Sequence, residues 1–211
     1  MTLRRRALLA AALGPAAAPL WWPGEATAGG QVEEPLADSV RSALSAAIGS
    51  AAPPKPAFDS TEARLAYLRW LGEMSERLKK RQAEHATRVE FLETVWYESK
   101  RSALEPSLVL GVIQVESAFR KYAISRVGAR GYMQVMPFWA RLIGDGEPSR
   151  LFHMQTNLRF GCVILRHYLQ TERGDLFMAL GRYNGSRGRA EYPDVVFGAR
   201  RQWDYRAAAA G

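Results

Sequence analysis

The sequence predicts a mainly α-helical domain over residues 84–205, with at most one small β-hairpin, preceded by an amphipathic helix. Three observations carry that expectation. Apolar residues recur every three or four positions through most of the chain beyond residue 60, the period of a helix that buries one face. One stretch, Leu108-Val109-Leu110-Gly111-Val112-Ile113-Gln114-Val115, is apolar almost without a break, as a helix at the centre of a domain must be. The sequence shows neither strand–helix alternation nor an internal repeat, which argues against a parallel α/β sheet and a solenoid. A chain of 211 residues with 47% apolar content is enough for one such domain plus extensions.

Residues 1–28 have the features of a signal peptide. Arg4-Arg5-Arg6 is a basic start, Ala7 to Trp22 is apolar but interrupted by Pro15 and Pro19, and Ala26-Thr27-Ala28 offers a small-x-small cleavage pattern. The apolar run falls short of the roughly 20 residues a bilayer span requires. The expected location is therefore periplasmic or secreted, by the Sec or the twin-arginine route, with no transmembrane segment after cleavage. Removing residues 1–28 takes away three arginines and one glutamate, leaving 26 basic against 20 acidic side chains, or +6, compared with +8 for the full chain.

Residues 29–58, rich in Ala, Gly, Ser and Pro, read as a flexible linker with a short helix around Val40 to Ile48. Asp59-Ser60-Thr61-Glu62 can cap and start a helix, and Leu65, Leu68, Leu71, Met74 and Leu78 form its apolar stripe. This extension, 59–83, is expected to dock on the domain; residues 59–82 could instead meet a wall-synthesis or secretion complex. A helix over 87–102 should turn Val89, Leu92, Val95 and Trp96 inward. Pro106 suits the first turn of the next, which runs to about Phe119. Residues 124–136 suit a small hairpin, Pro137 to Ile143 a short helix, and Leu158, Cys162, Leu165 and Leu169 one face of a longer one. Asp175 to Tyr183 forms another, stopped by Asn184-Gly185, and a last helix holding Tyr192 and Val196 wraps back before a tail at 206–211.

Composition and motifs exclude several chemistries. The positive charges are scattered and no nucleic-acid-binding signature is present, so nucleic acid is not an expected partner. His85, His153 and His167 have no zinc-ligand spacing, and neither a nucleophile elbow nor a phosphate loop occurs; no metal or cofactor is expected. Cys162, the one cysteine, can form no internal disulfide and falls on an apolar helix face, so it reads as a buried structural thiol. Glu116 stands apart. A carboxyl among Val112, Ile113, Val115 and Phe119 loses hydration of its charged form, holds its proton toward neutral pH and can act as a general acid. Glu98-Ser99 repeats the Glu116-Ser117 pair, but Tyr97, Lys100 and Arg101 around it suggest a surface position.

Glu116-Ser117-x-Phe119, then Ala123-x-Ser125-x-x-Gly128-Ala129-x-Gly131-x-Met133-Gln134-x-Met136-Pro137, then Arg182-Tyr183-Asn184-Gly185 closely resemble the soluble lytic murein transglycosylase (SLT) family over about residues 89–205. The resemblance implies a lysozyme-like helical fold and cleavage of the bond between N-acetylmuramic acid and N-acetylglucosamine in peptidoglycan strands, leaving a 1,6-anhydromuramyl end. It implies Glu116 as the single acid and base, Tyr183 as its hydrogen-bonding partner, and Ser117, Met133, Gln134, Tyr183 and Asn184 around the sugars. Between Glu116 and Asp145 the chain has no other acid, whereas two-carboxylate glycosidases need a second one. Arg120-Lys121, Tyr132 and Gly181-Arg182 depart from the family pattern. A hydrolytic lysozyme on the same fold, and a glycan-binding adaptor without catalysis, are the alternatives.

Overall fold

The computed structural model describes residues 31–49 and 56–205; the signal peptide expected at 1–28 and the tail at 206–211 lie outside the described residues. Eight α-helices follow in order: α1 (Asp38–Gly49), α2 (Thr61–Leu78), α3 (His85–Arg101), α4 (Pro106–Ser117), α5 (Pro137–Ile143), α6 (Met154–Thr171), α7 (Leu176–Asn184) and α8 (Glu191–Arg201). A 3-10 turn at Pro148–Phe152 separates α5 from α6. Among the described residues there is no strand. Where a hairpin was expected, two isolated antiparallel bridges join Ile124 to Arg130 and Arg130 to Val135.

The helix ends follow from local chemistry. Ser60 accepts from the Ala63 amide at the start of α2, and Asp175 accepts from the Met178 amide at the start of α7, each satisfying a donor the helix leaves unpaired. Pro106 and Pro137 open α4 and α5, where the missing N–H costs nothing. Gly185, at φ 82°, ends α7 in the left-handed conformation, as the Asn184-Gly185 pair indicated.

α4 is the buried axis. Leu108, Val109, Leu110, Val112 and Ile113 are all within the core. α8 crosses it closely: a side chain on Gly111 would lie 2.9 Å from the Arg200 nitrogen and 3.0 Å from its Cα, so only glycine allows the approach. α3 packs against both α4 and α6, and Cys162 of α6 is buried, its thiol pushed well above the usual range by burial.

Two expectations about packing are corrected, the inward face of α2 and the exposure of Glu98. The inward face of α2 is Tyr67, Trp70, Met74 and Leu78, while Leu65 and Leu68 are 45% and 46% exposed. Aromatic area decides the rotation, because Tyr67 and Trp70 join Phe58 and Trp96 in one cluster with centroid separations of 4.7 to 6.2 Å. The short helix expected around Val40 to Ile48 is α1, and it lies against α5 and α6. Glu98 is not a surface residue but fully buried. Its carboxylate accepts from Arg159 Nε at 2.9 Å and Arg101 at 3.4 Å, and the same guanidinium groups bond the Ile48 and Ala47 carbonyls at the end of α1. The ion pairs satisfy Glu98 while binding α1 to α3 and α6.

Candidate active site

Glu116 lies in the last turn of α4, 6% exposed. Tyr192, at the start of α8, donates its hydroxyl to Glu116 Oε1 at 2.5 Å; Oε2 has no hydrogen-bond partner. Burial pushes the carboxyl up to about 8, with the Tyr192 hydrogen bond offsetting part of the rise. Among the described residues no second carboxylate contributes to that shift. Burial and the neighbouring Glu116 hold the Tyr192 hydroxyl well above its ordinary range, so it remains a donor. The proton of the neutral acid therefore belongs on Oε2, the oxygen that nothing in the chain engages.

Beyond Glu116 the chain turns sharply. Ala118 and Phe119 take φ of 49° and 65°, ending the helix and sending Phe119 into the core against Phe91 and Trp203. Ser117 is buried and gives its hydroxyl to Tyr132 O at 2.7 Å, with Ile113 O at 3.1 Å. It thus ties the end of α4 to the 131–136 turn.

That turn is held from every side. Gln134, at φ 48°, donates from Nε2 to Ala123 O at 3.1 Å and Gly131 O at 2.9 Å. Gly131, at φ 76°, sits against Asn157 and Leu151 O, the latter 2.6 Å from where a Cβ would stand. Asn157 of α6 accepts from the Met133 amide at 2.8 Å and donates to Arg130 O and Leu151 O, also at 2.8 Å. The Met133 side chain is fully buried on Gly161 of α6, where a Cβ would lie 2.7 Å from its Cβ and Cε.

Tyr183 is fully buried and donates to Met133 O at 2.7 Å, not to Glu116. The tyrosine on the catalytic candidate is Tyr192 instead. Sequence reasoning placed Tyr192 on the last helix but gave it no role, since 76 positions separate it from Glu116. Asn184 follows Tyr183 at the end of α7, nearly buried. Glu116, Ser117, Met133, Gln134 and Tyr183 are thus joined by the Ser117–Tyr132 and Tyr183–Met133 bonds. Residues outside the motifs also bond here: Trp139 Nε1 donates to Gln31 at 2.9 Å, and Glu34 and Glu172 pair with Arg182 of the third motif at 2.6 Å and 2.8 Å. Among the described residues no group of three or more His, Cys, Asp or Glu side chains could hold a metal. Nor is any helix there long and apolar enough to cross a membrane.

Residues 93–196 match the Transglycosylase SLT domain family, a span holding Glu116, the 131–136 turn, Tyr183 and Tyr192. The membrane-bound lytic murein transglycosylase C of Actinobacillus pleuropneumoniae is 40% identical over 84 residues, covering 36% of this chain and 23% of that protein. A transglycosylase of Enterobacteria phage PRD1 is 34% identical over 104 residues, covering 49% of this chain and 38% of that one. The chain thus spans well under half the length of either relative. A lytic transglycosylase Slt of Pseudomonas aeruginosa, solved as an inactive mutant, aligns at 25% identity and a TM-score of 0.43 over 66% of this chain and 27% of that one. Residues 93–196, about half of this chain, are thus similar to the transglycosylase SLT domain, and the described residues of that span are mainly helical.

Proposed function

We propose that this protein is an exported peptidoglycan lytic transglycosylase, acting in the periplasm or outside the cell, with Glu116 as its single acid and base. The observation that carries the reading is Glu116 itself: buried, holding its proton to about pH 8, and with Oε2 also buried and without a hydrogen-bond partner, so that substrate binding must open the way to it. Oε2 gives its proton to the oxygen bridging N-acetylmuramic acid and N-acetylglucosamine, and the bond from that oxygen to muramyl C1 breaks. The resulting carboxylate takes the proton of the muramyl 6-hydroxyl while O6 bonds to C1. Glu116 regains its proton, no water is consumed, and the products are a 1,6-anhydromuramyl end and a free N-acetylglucosamine end. Tyr192 fixes the carboxyl and steadies its charged form between the two steps. Ser117, Met133, Gln134 and Tyr183 shape the site through the 131–136 turn, with Asn184 beside the sugars.

The test is lysis of purified sacculi by the full chain. Wild type clears the suspension, and Glu116→Gln, which keeps shape and the acceptor for Tyr192 but has no acidic proton, does not. Clearance by Glu116→Gln at the wild-type rate overturns the assignment.

A further inference from the structure

From Arg120 to Arg141 the chain carries five cationic residues and no acid. The segment 121–130 also exposes large apolar side chains, with Tyr122 at 70%. Four side chains of this region form a row in which charge and ring alternate at the ends. Lys121 Nζ stands 5.3 Å from the Tyr122 ring, Tyr122 lies 6.0 Å from Phe152, and the Arg130 guanidinium lies 5.5 Å from Phe152. Neither Lys121 nor Arg130 pairs with a carboxylate among the described residues. Elsewhere, exposed arginines such as Arg77 and Arg187 do have acidic partners. Two cations held over rings and away from acids, with Lys121 and Tyr122 exposed and Arg130 and Phe152 half-buried, favour a ligand that is itself anionic and partly flat.

The row is tied to the candidate acid at both ends. It begins five residues beyond Glu116, and Arg130 leads into the turn that Ser117 fastens to α4. Resting on the transglycosylase reading, we propose that Lys121, Tyr122, Phe152 and Arg130 bind the acidic peptide stem on the muramyl residue whose C1 is attacked. The stem leaves that sugar through its lactyl group and carries free carboxylates on its second and third amino acids. Those carboxylates would face Lys121 and Arg130, with peptide planes against the two rings. The departure at Lys121 from the family pattern is then a specificity determinant.

The experiment uses the full chain bearing Glu116→Gln, so that no ligand is turned over. Dissociation constants are measured for the disaccharide N-acetylglucosaminyl-N-acetylmuramic acid with its tetrapeptide and without it. The stem should tighten binding by roughly fivefold to tenfold, the sum of two exposed charge contacts. Adding Lys121→Glu with Arg130→Gln should abolish that advantage and leave binding of the bare disaccharide unchanged, which also controls for folding. Equal binding of the two ligands by the parent overturns the proposal. So does a preference that survives the double substitution, or an equal loss for both ligands, which would make the row a sugar site. Sacculus lysis by wild type is run alongside: failure to lyse with the stem preference intact would sink the enzymatic reading alone.

Discussion

Replacing Glu116 with glutamine should stabilise the protein, and the gain should depend on pH. The folded carboxyl holds its proton to about 8 against an ordinary 4.5, because burial penalises the charged form. The unfolded chain releases that proton at the ordinary value. Between the two, the folded state binds more protons than the unfolded state, so wild-type stability falls as pH rises. Each pH unit in that window costs about 1.4 kcal/mol, so by pH 7 the wild type gives up about 3 kcal/mol, as an upper figure. Glutamine has no proton to lose and can still accept from Tyr192. Denaturant unfolding of wild type and Glu116→Gln from pH 5 to pH 9 reads the difference directly. The gap should be small near pH 5, widen through neutrality and level off above about pH 8. A gap independent of pH, or a variant less stable throughout, would refute burial as the reason the folded carboxyl keeps its proton.

Three further outcomes follow from the same structure. Tyr192→Phe removes the hydrogen bond that lowers the Glu116 value, so the alkaline fall in kcat/KM should move upward in pH while the rate drops by roughly tenfold or more, as measured in a pH–rate profile. Gly161→Ala places a methyl group 2.7 Å from Met133, whose main chain is fixed by Asn157 and Tyr183. It should cost about 1–3 kcal/mol in unfolding free energy and lower lysis further than that loss explains. Glu98→Ala leaves the Arg159 guanidinium in the interior without its carboxylate and should cost about 3–5 kcal/mol in denaturant titration.

Much of this architecture was legible in the sequence where the cause is local. Pro106, Pro137, Ser60 and Asn184-Gly185 mark helix ends through donors and dihedrals that belong to a few neighbouring residues, and the helices begin or stop there. The burial of Glu116 followed from the apolar run that precedes it. What was not legible depends on partners distant in the chain. Glu98 looked exposed because its neighbours Lys100 and Arg101 are polar, yet Arg159, 61 positions away, allows it to be buried. The face of α2 was misjudged because leucine spacing alone carries no weight for the ring cluster supplied by Phe58 and Trp96. Tyr183 was assigned to Glu116 by resemblance; the hydroxyl that reaches the acid is Tyr192's, brought there by the close crossing of α8 over Gly111. Arg182, a departure from the family pattern, finds its reason in Glu34, outside the matched domain.

The central claim is a single carboxyl that acts first as acid and then as base on the substrate's own hydroxyl. Mass spectrometry of the muropeptides released from sacculi by the full chain tests it most directly. Released muramyl ends should be lighter by one water than reducing ends, the mass of the 1,6-anhydro form. Reducing ends alone would show that water attacks instead, and would make the protein a hydrolase.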